Sequence, residues 1–283
     1  TSTSTRNPRR TPGHPHSTRK SRDSLDSQTD YVVRLSQPFS LPLPWSGRAG
    51  SLSGRSDDME AIDELINAAQ TFYDDARANE NGRSRSWEHC YRVFRDARTD
   101  PSPDYDYLSL HLAFYLAIWG MYRGSCFIFQ KDYKVHTPIV EKVLKPEYDC
   151  LFGIACADLR EPDAQTRLAK LSADIADYFD PIREEVKGRV VKFPVSPVLI
   201  TKILLGTLGC VPAYDTFFEK GVRHLGLKEK DYNEDSLLEL ADFYEEHNDR
   251  LEEARRGMQT DDLTYPQMKL LDMGFWQIGF EKS

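Results

Sequence analysis

"SPVLITKILLGTLGCVPAYDTFFEKGVRHLGL", residues 196–227, decides the fold. Leu199, Ile200, Ile203 and Leu204 recur at three- and four-residue spacing, which gives a first helix its apolar face. Gly206, Gly209 and Pro212 interrupt the pattern, and Pro212 fits the first turn of a second helix because its missing N–H would find no partner there anyway. Asp215 then falls in the opening turn of that helix, where the positive end of the helix dipole favours a negative charge. It is either the charge that starts a helix or the reactive group of a site, and the residues around it allow both.

The same periodicity extends in both directions. Residues 60–76, 86–98, 106–129, 136–150, 164–187, 234–256 and 264–277 all show helical spacing or helix-length apolar runs. Ile175, Tyr178, Phe179 and Ile182 line one stripe, as do Leu237, Leu240, Phe243, Tyr244 and Leu251, so both segments read as outer helices buried along one face. "GRVVKF" (188–193) reads as either a strand or an extended linker. The expected class is all-α, a multi-helix globular body. Its longest apolar run, residues 108–129, is interrupted by His111, Arg123 and two glycines before reaching the ~20 clean residues a membrane span requires, and reads as a buried helix.

Residues 1–58 are rich in Ser, Thr, Arg, Pro and Gly, and their few apolar patches bury too little surface to offset ordering entropy. A disordered basic arm is expected there, ahead of a helical domain over 59–283. Met59 is the first methionine of the chain and falls at the change of composition, which marks it as a candidate natural start and the arm as a non-native extension. The arm holds nine Lys/Arg against five Asp/Glu, and the body twenty-eight against forty. A body of net charge −12 repels polyanions at long range, so nucleic-acid binding needs a local basic face. Five cysteines, mostly in apolar segments, fit reduced thiols in a cytoplasmic protein. No spaced Cys/His ligand set, phosphate loop or dinucleotide fingerprint is present, so neither metal nor cofactor is expected.

"VPAYDTFFEKGVRHLGL" resembles the segment of helix-hairpin-helix DNA glycosylases in which a proline three residues before an aspartate leads into Asp-Thr, a helix and a closing Leu-Gly-Leu. The resemblance implies that Asp215 faces a flipped nucleotide and stabilises positive charge on its sugar as the N-glycosidic bond breaks. The family's Leu-Pro-Gly-Val-Gly hairpin and nearby lysine are replaced here by "FPVSPVLITKIL", and no cysteine cluster follows Cys210. The likeness therefore implies the monofunctional type, with water as nucleophile and DNA as partner.

Two further clusters stand out. Trp119, Tyr122, Arg123, Gln130 and Lys131 place aromatic and polar groups in an otherwise apolar region, as a substrate pocket or as satisfied core groups would. Arg83, Arg85, Trp87 and Arg92 form the most basic part of the body and, with Lys202, are candidates for phosphate contact and base stacking; a solvated helix face explains them equally well. The alternative to the glycosylase-like reading is a non-catalytic helical module whose acidic surface engages a protein partner.

Overall fold

Ten α-helices and one small hairpin are found among the described residues of the computed structural model, which are Thr1 and 52–283 other than Ser125 and Asp261, with side chains of the body from Met59 onward. The helices are α1 (Leu52–Ala78), α2 (Ser86–Ala97), α3 (Tyr105–Ile118), α4 (Thr137–Val143), α5 (Pro162–Lys187), α6 (Pro197–Thr207), α7 (Thr216–His224), α8 (Glu234–Glu246), α9 (Asn248–Gly257) and α10 (Gln267–Glu281). Strands β1 (Gln259–Thr260) and β2 (Leu263–Thr264) pair antiparallel, and short 3-10 turns join several helices. The fold is all-α. The arm expected over 1–58 lies outside the described residues as far as residue 51, and α1 already begins at Leu52.

Five expectations need correction. The helix expected over 136–150 stops at Val143, where Leu144 leaves helical geometry, and Pro146–Leu151 forms a separate 3-10 turn. Pro212, expected in the first turn of a helix, lies ahead of α7, which begins at Thr216. The helix expected over 106–129 stops at Ile118, because Gly120 takes a left-handed φ of 82° and turns the chain away. The single helix expected over 234–256 is two, since His247 leaves helical geometry between α8 and α9. Residues 188–193 form no strand; they are irregular, and the loop that follows is tied to α5 by Arg183, which donates to the Pro194 carbonyl at 2.8 Å, and by Asp180, which accepts from Val195 N at 2.8 Å.

α10 organises the core. Every residue from Met268 to Gly279 is buried, including Lys269, Asp272 and Gln277, so this helix has no solvent face over its central turns. It packs most closely on α7 and α1. The α7 contact is made backbone to backbone: a Cβ placed on Gly221 would lie 1.9 Å from the Phe275 carbonyl oxygen, and one on Gly279 1.8 Å from that of Phe217. Phe218 and Phe275 then meet edge to face at 5.6 Å across the seam. α2, α3 and α6 pack on one another, so the end of α3, the start of α7 and the middle of α10 come together.

Candidate functional site

Asp215 is the N-cap of α7. Its Oδ1 accepts from the N–H groups of Phe217 (3.1 Å) and Phe218 (3.3 Å), satisfying donors that the helix's first turn leaves free. Its Oδ2 lies 3.2 Å from Lys202 Nζ, whose ammonium also donates to the Trp119 carbonyl at 2.8 Å. The side chains of Lys202 and Asp215 are 6% and 16% exposed, so the pair is nearly sealed from water. Lys202 comes from the inner face of α6, and the α6–α7 turn brings it back onto the carboxylate.

A second pair adjoins the first. Lys269 Nζ is 2.7 Å from Asp272 Oδ2, and Asp272 Oδ1 accepts from Ala213 N at 2.9 Å, two residues before Asp215. The Lys269 ammonium also sits 5.0 Å from the Trp87 ring centre and 5.1 Å from that of Phe72, where ring faces attract a cation. Together the two pairs place two positive and two negative groups around one cavity, also lined by Tyr115, Trp119, Leu205, Ala213 and Trp276. Its volume is about 10 Å³, room for about one water molecule. Burial, reinforced by the nearby Asp272 and Asp215 carboxylates, pushes the Tyr115 hydroxyl well above its ordinary pKa, keeping it neutral.

Aromatic side chains form the outer wall. Trp119 and Trp276 meet edge to face at 5.7 Å, and Trp119 donates its indole N–H to Ser86 Oγ at 3.1 Å. Exposed Arg83 lays its guanidinium 5.4 Å from the Trp119 ring centre and 5.8 Å from that of Trp276. Trp276 stacks on Phe280 at 5.2 Å, and Phe280 is half exposed.

Of the residues singled out in the sequence, Asp215, Trp119 and Lys202 share this cavity, with Arg83 over its aromatic wall. Lys202 is not a phosphate contact, because its ammonium is buried and bonded to Asp215 and Trp119. Trp87 is core: it is 1% exposed, donates its indole N–H to the Leu205 carbonyl at 2.9 Å, and has no face to offer a base. Arg92 is held bidentate by Asp262. Arg83 and Arg85 have no carboxylate within 4.0 Å among the described residues. Tyr122, Arg123, Gln130 and Lys131 lie beyond the Gly120 turn and do not line the cavity: Arg123 and Gln130 are exposed, and Lys131 pairs with Glu185 at 3.1 Å. Lys269, Asp272 and Trp276 were missed. The available signal was that "QMKLLDMGFWQIGF" is apolar on every side, so its two charges at i, i+3 had to face each other inside the protein.

Tyr122, itself only partly buried, belongs to a separate pair. Its hydroxyl lies 2.7 Å from Nε2 of His136, a fully buried histidine whose Nδ1 has no partner among the described residues. Burial lowers the His136 pKa to about 3. The unfolded chain takes up this proton near pH 6.5 and the folded protein does not, so the stability due to neutral His136 is complete above pH 6.5 and is lost as pH falls toward 3. Urea unfolding across that range should show wild type losing up to about 1.4 kcal/mol per pH unit relative to His136→Gln. Parallel pH profiles for the two proteins would disprove this.

Among the described residues no cluster of three or more His, Cys, Asp or Glu can hold a metal ion, and no helix is long and apolar enough to cross a membrane. No protein-family model, curated protein or solved structure matches the chain.

Proposed function

We propose that the chain is a glycosylase-like nucleic-acid protein that hydrolyses an N-glycosidic bond, with Asp215 as its essential carboxylate and DNA as its partner. The observation that carries this reading is a carboxylate fixed from three sides, by two helix N–H groups and an ammonium, at the base of a cavity walled by two indoles under an exposed guanidinium. A fixed anion in a water-poor site stabilises the positive charge that a sugar develops as its base departs, and needs no reorganisation at the moment of reaction. Trp119 and Trp276 supply ring faces for an extruded base, and Arg83 supplies a cation for the adjoining phosphate. Because the cavity has room for about one water, a base enters only as Arg83 and the indoles swing aside; on this reading a water admitted with it is the nucleophile, its oxygen bonding to the sugar carbon as the carbon–nitrogen bond breaks and its proton passing to the departing base.

Asp215→Asn is the direct test, because asparagine retains the N-cap and removes only the charge. On single strands and duplexes carrying damaged or modified bases, base release per folded protein should fall about a hundredfold or more, beside a lowered thermal melt, because Lys202 is left buried with the Trp119 carbonyl but no counter-ion. Undiminished release by the variant, or no nucleic-acid binding at low salt, would sink the reading.

A second reading, a non-catalytic helical interaction protein with an acidic surface, is favoured by Asp215 itself, which is nearly sealed from water and already matched with two helix N–H groups and the Lys202 ammonium. The body carries net charge −12, and α3 turns an apolar face outward.

A further inference from the structure

α3 is apolar on both sides. Leu108, Leu112, Ala113, Tyr115 and Leu116 face the core. Tyr107, Leu110 and Phe114 face outward, exposed by 50%, 50% and 53%, with exposed Ala117 completing a line at i, i+3, i+7 and i+10. A helix of about 21 Å with apolar residues on its outer face needs a cover on that face.

The ends of the stripe differ in charge. Asp100, Asp104 and Asp106 stand at its start; Asp106 meets Lys134 at 3.5 Å and accepts from the Tyr133 hydroxyl at 3.0 Å, while Asp100 and Asp104 accept backbone N–H groups, so three carboxylates stand there against one ammonium. Exposed Arg123 stands just past its end. Arg85 is close by, because the bond from Trp119 Nε1 to Ser86 Oγ holds the start of α2 against the end of α3. Neither arginine has a carboxylate within 4.0 Å among the described residues.

We propose that this face joins two copies of the chain, their α3 helices antiparallel about a two-fold axis level with Leu112. Leu110 then faces the partner's Phe114, Tyr107 faces the partner's Ala117, and each acidic start meets the other copy's arginines. A two-fold interface must complement itself. A stripe that is acidic at one end and basic at the other does so antiparallel, whereas a parallel arrangement sets like charges together. The opposed helix dipoles add to the match. A second copy is therefore the occupant that the stripe's own charge order fits, and this holds whether or not the cavity is catalytic.

Sedimentation equilibrium of the full chain over a concentration series tests it. Wild type should dimerise, more weakly as salt rises. Leu110→Glu and Phe114→Glu should each be monomeric with unchanged helical circular dichroism, since both side chains are half exposed in one copy. Asp106→Arg and Arg123→Glu should each weaken the dimer about tenfold, and the double variant should recover most of that loss by exchanging the two signs. A wild type that stays monomeric at every concentration overturns the proposal, including when the stripe instead captures a different protein. So does a dimer that survives Phe114→Glu, or charge swaps whose losses add without recovery.

Discussion

Gly221→Ala and Gly279→Ala are each expected to cost several kcal/mol, the upper part of the range for forcing a methyl group into a packed core, about 1–3 kcal/mol or more. What the new methyl would strike is main chain. At Gly221 it would sit 1.9 Å from the Phe275 oxygen and 2.7 Å from its carbonyl carbon; at Gly279, 1.8 Å from the Phe217 oxygen and 3.0 Å from Gly221 N. No rotamer change relieves such contacts, so α7 and α10 must separate, opening the seam where Phe218 meets Phe275 and Phe217 meets Trp276. Asp215 caps α7, so the same displacement moves the carboxylate away from Lys202. Gly257 in α9 is the control, because a Cβ there meets nothing within 4 Å. Its alanine variant should be neutral or up to about 1 kcal/mol more stable, from lower chain entropy and better helix propensity. Chemical denaturation of all three separates the cases. Equal small effects at Gly221 and Gly257 would mean that the α7–α10 contact is looser than described.

These glycines mark the boundary of what the sequence conveys. Helical periodicity carried the all-α class, because each helix buries one stripe and leaves a regular trace of doing so. Asp215 near a helix start was also legible from the turn before it, although α7 begins only at Thr216, so that Pro212 lies ahead of the helix and Asp215 caps it from outside. Helix ends were less so. Gly120 ends α3 through a left-handed φ, while Gly221 and Gly279 sit inside helices to let backbones touch, and the letter is the same in each case. The site was half legible for a related reason. Lys202 and Asp215 are close along the chain, but Lys269 and Asp272 join them only through the α10 contact, and a Lys–Asp pair at i, i+3 has the spacing of an ordinary surface pair. Trp87 was misplaced because a tryptophan among arginines has the composition of a stacking platform, while its ring faces the core.

Lys269→Met is expected to destabilise the protein by about 3–5 kcal/mol, the cost of leaving a buried charge without its counter-ion. Lys269 is 3% exposed and Asp272 5%, so neither can turn to water when the other is lost. Asp272 would retain one backbone donor, Ala213 N, and would stand near the Asp215 carboxylate in a cavity carrying one unbalanced negative charge. The double variant Lys269→Met/Asp272→Leu removes both charges and should recover part of the loss, giving a large coupling energy in a double-mutant cycle. Recovery should remain incomplete for a local reason: without Asp272, Ala213 N is a buried donor with no acceptor, and Ala213 also accepts from Asp215 N at 2.7 Å. Asp272 therefore holds the strand of chain that presents Asp215. On the glycosylase-like reading, the double variant should lose base release out of proportion to its loss of stability, while Asp272→Asn, which retains an acceptor for Ala213 N, should lose less. Thermal melts beside base-release rates for the four proteins decide it. Release that simply tracks the folded fraction would reduce the second pair to a packing element and detach it from the site.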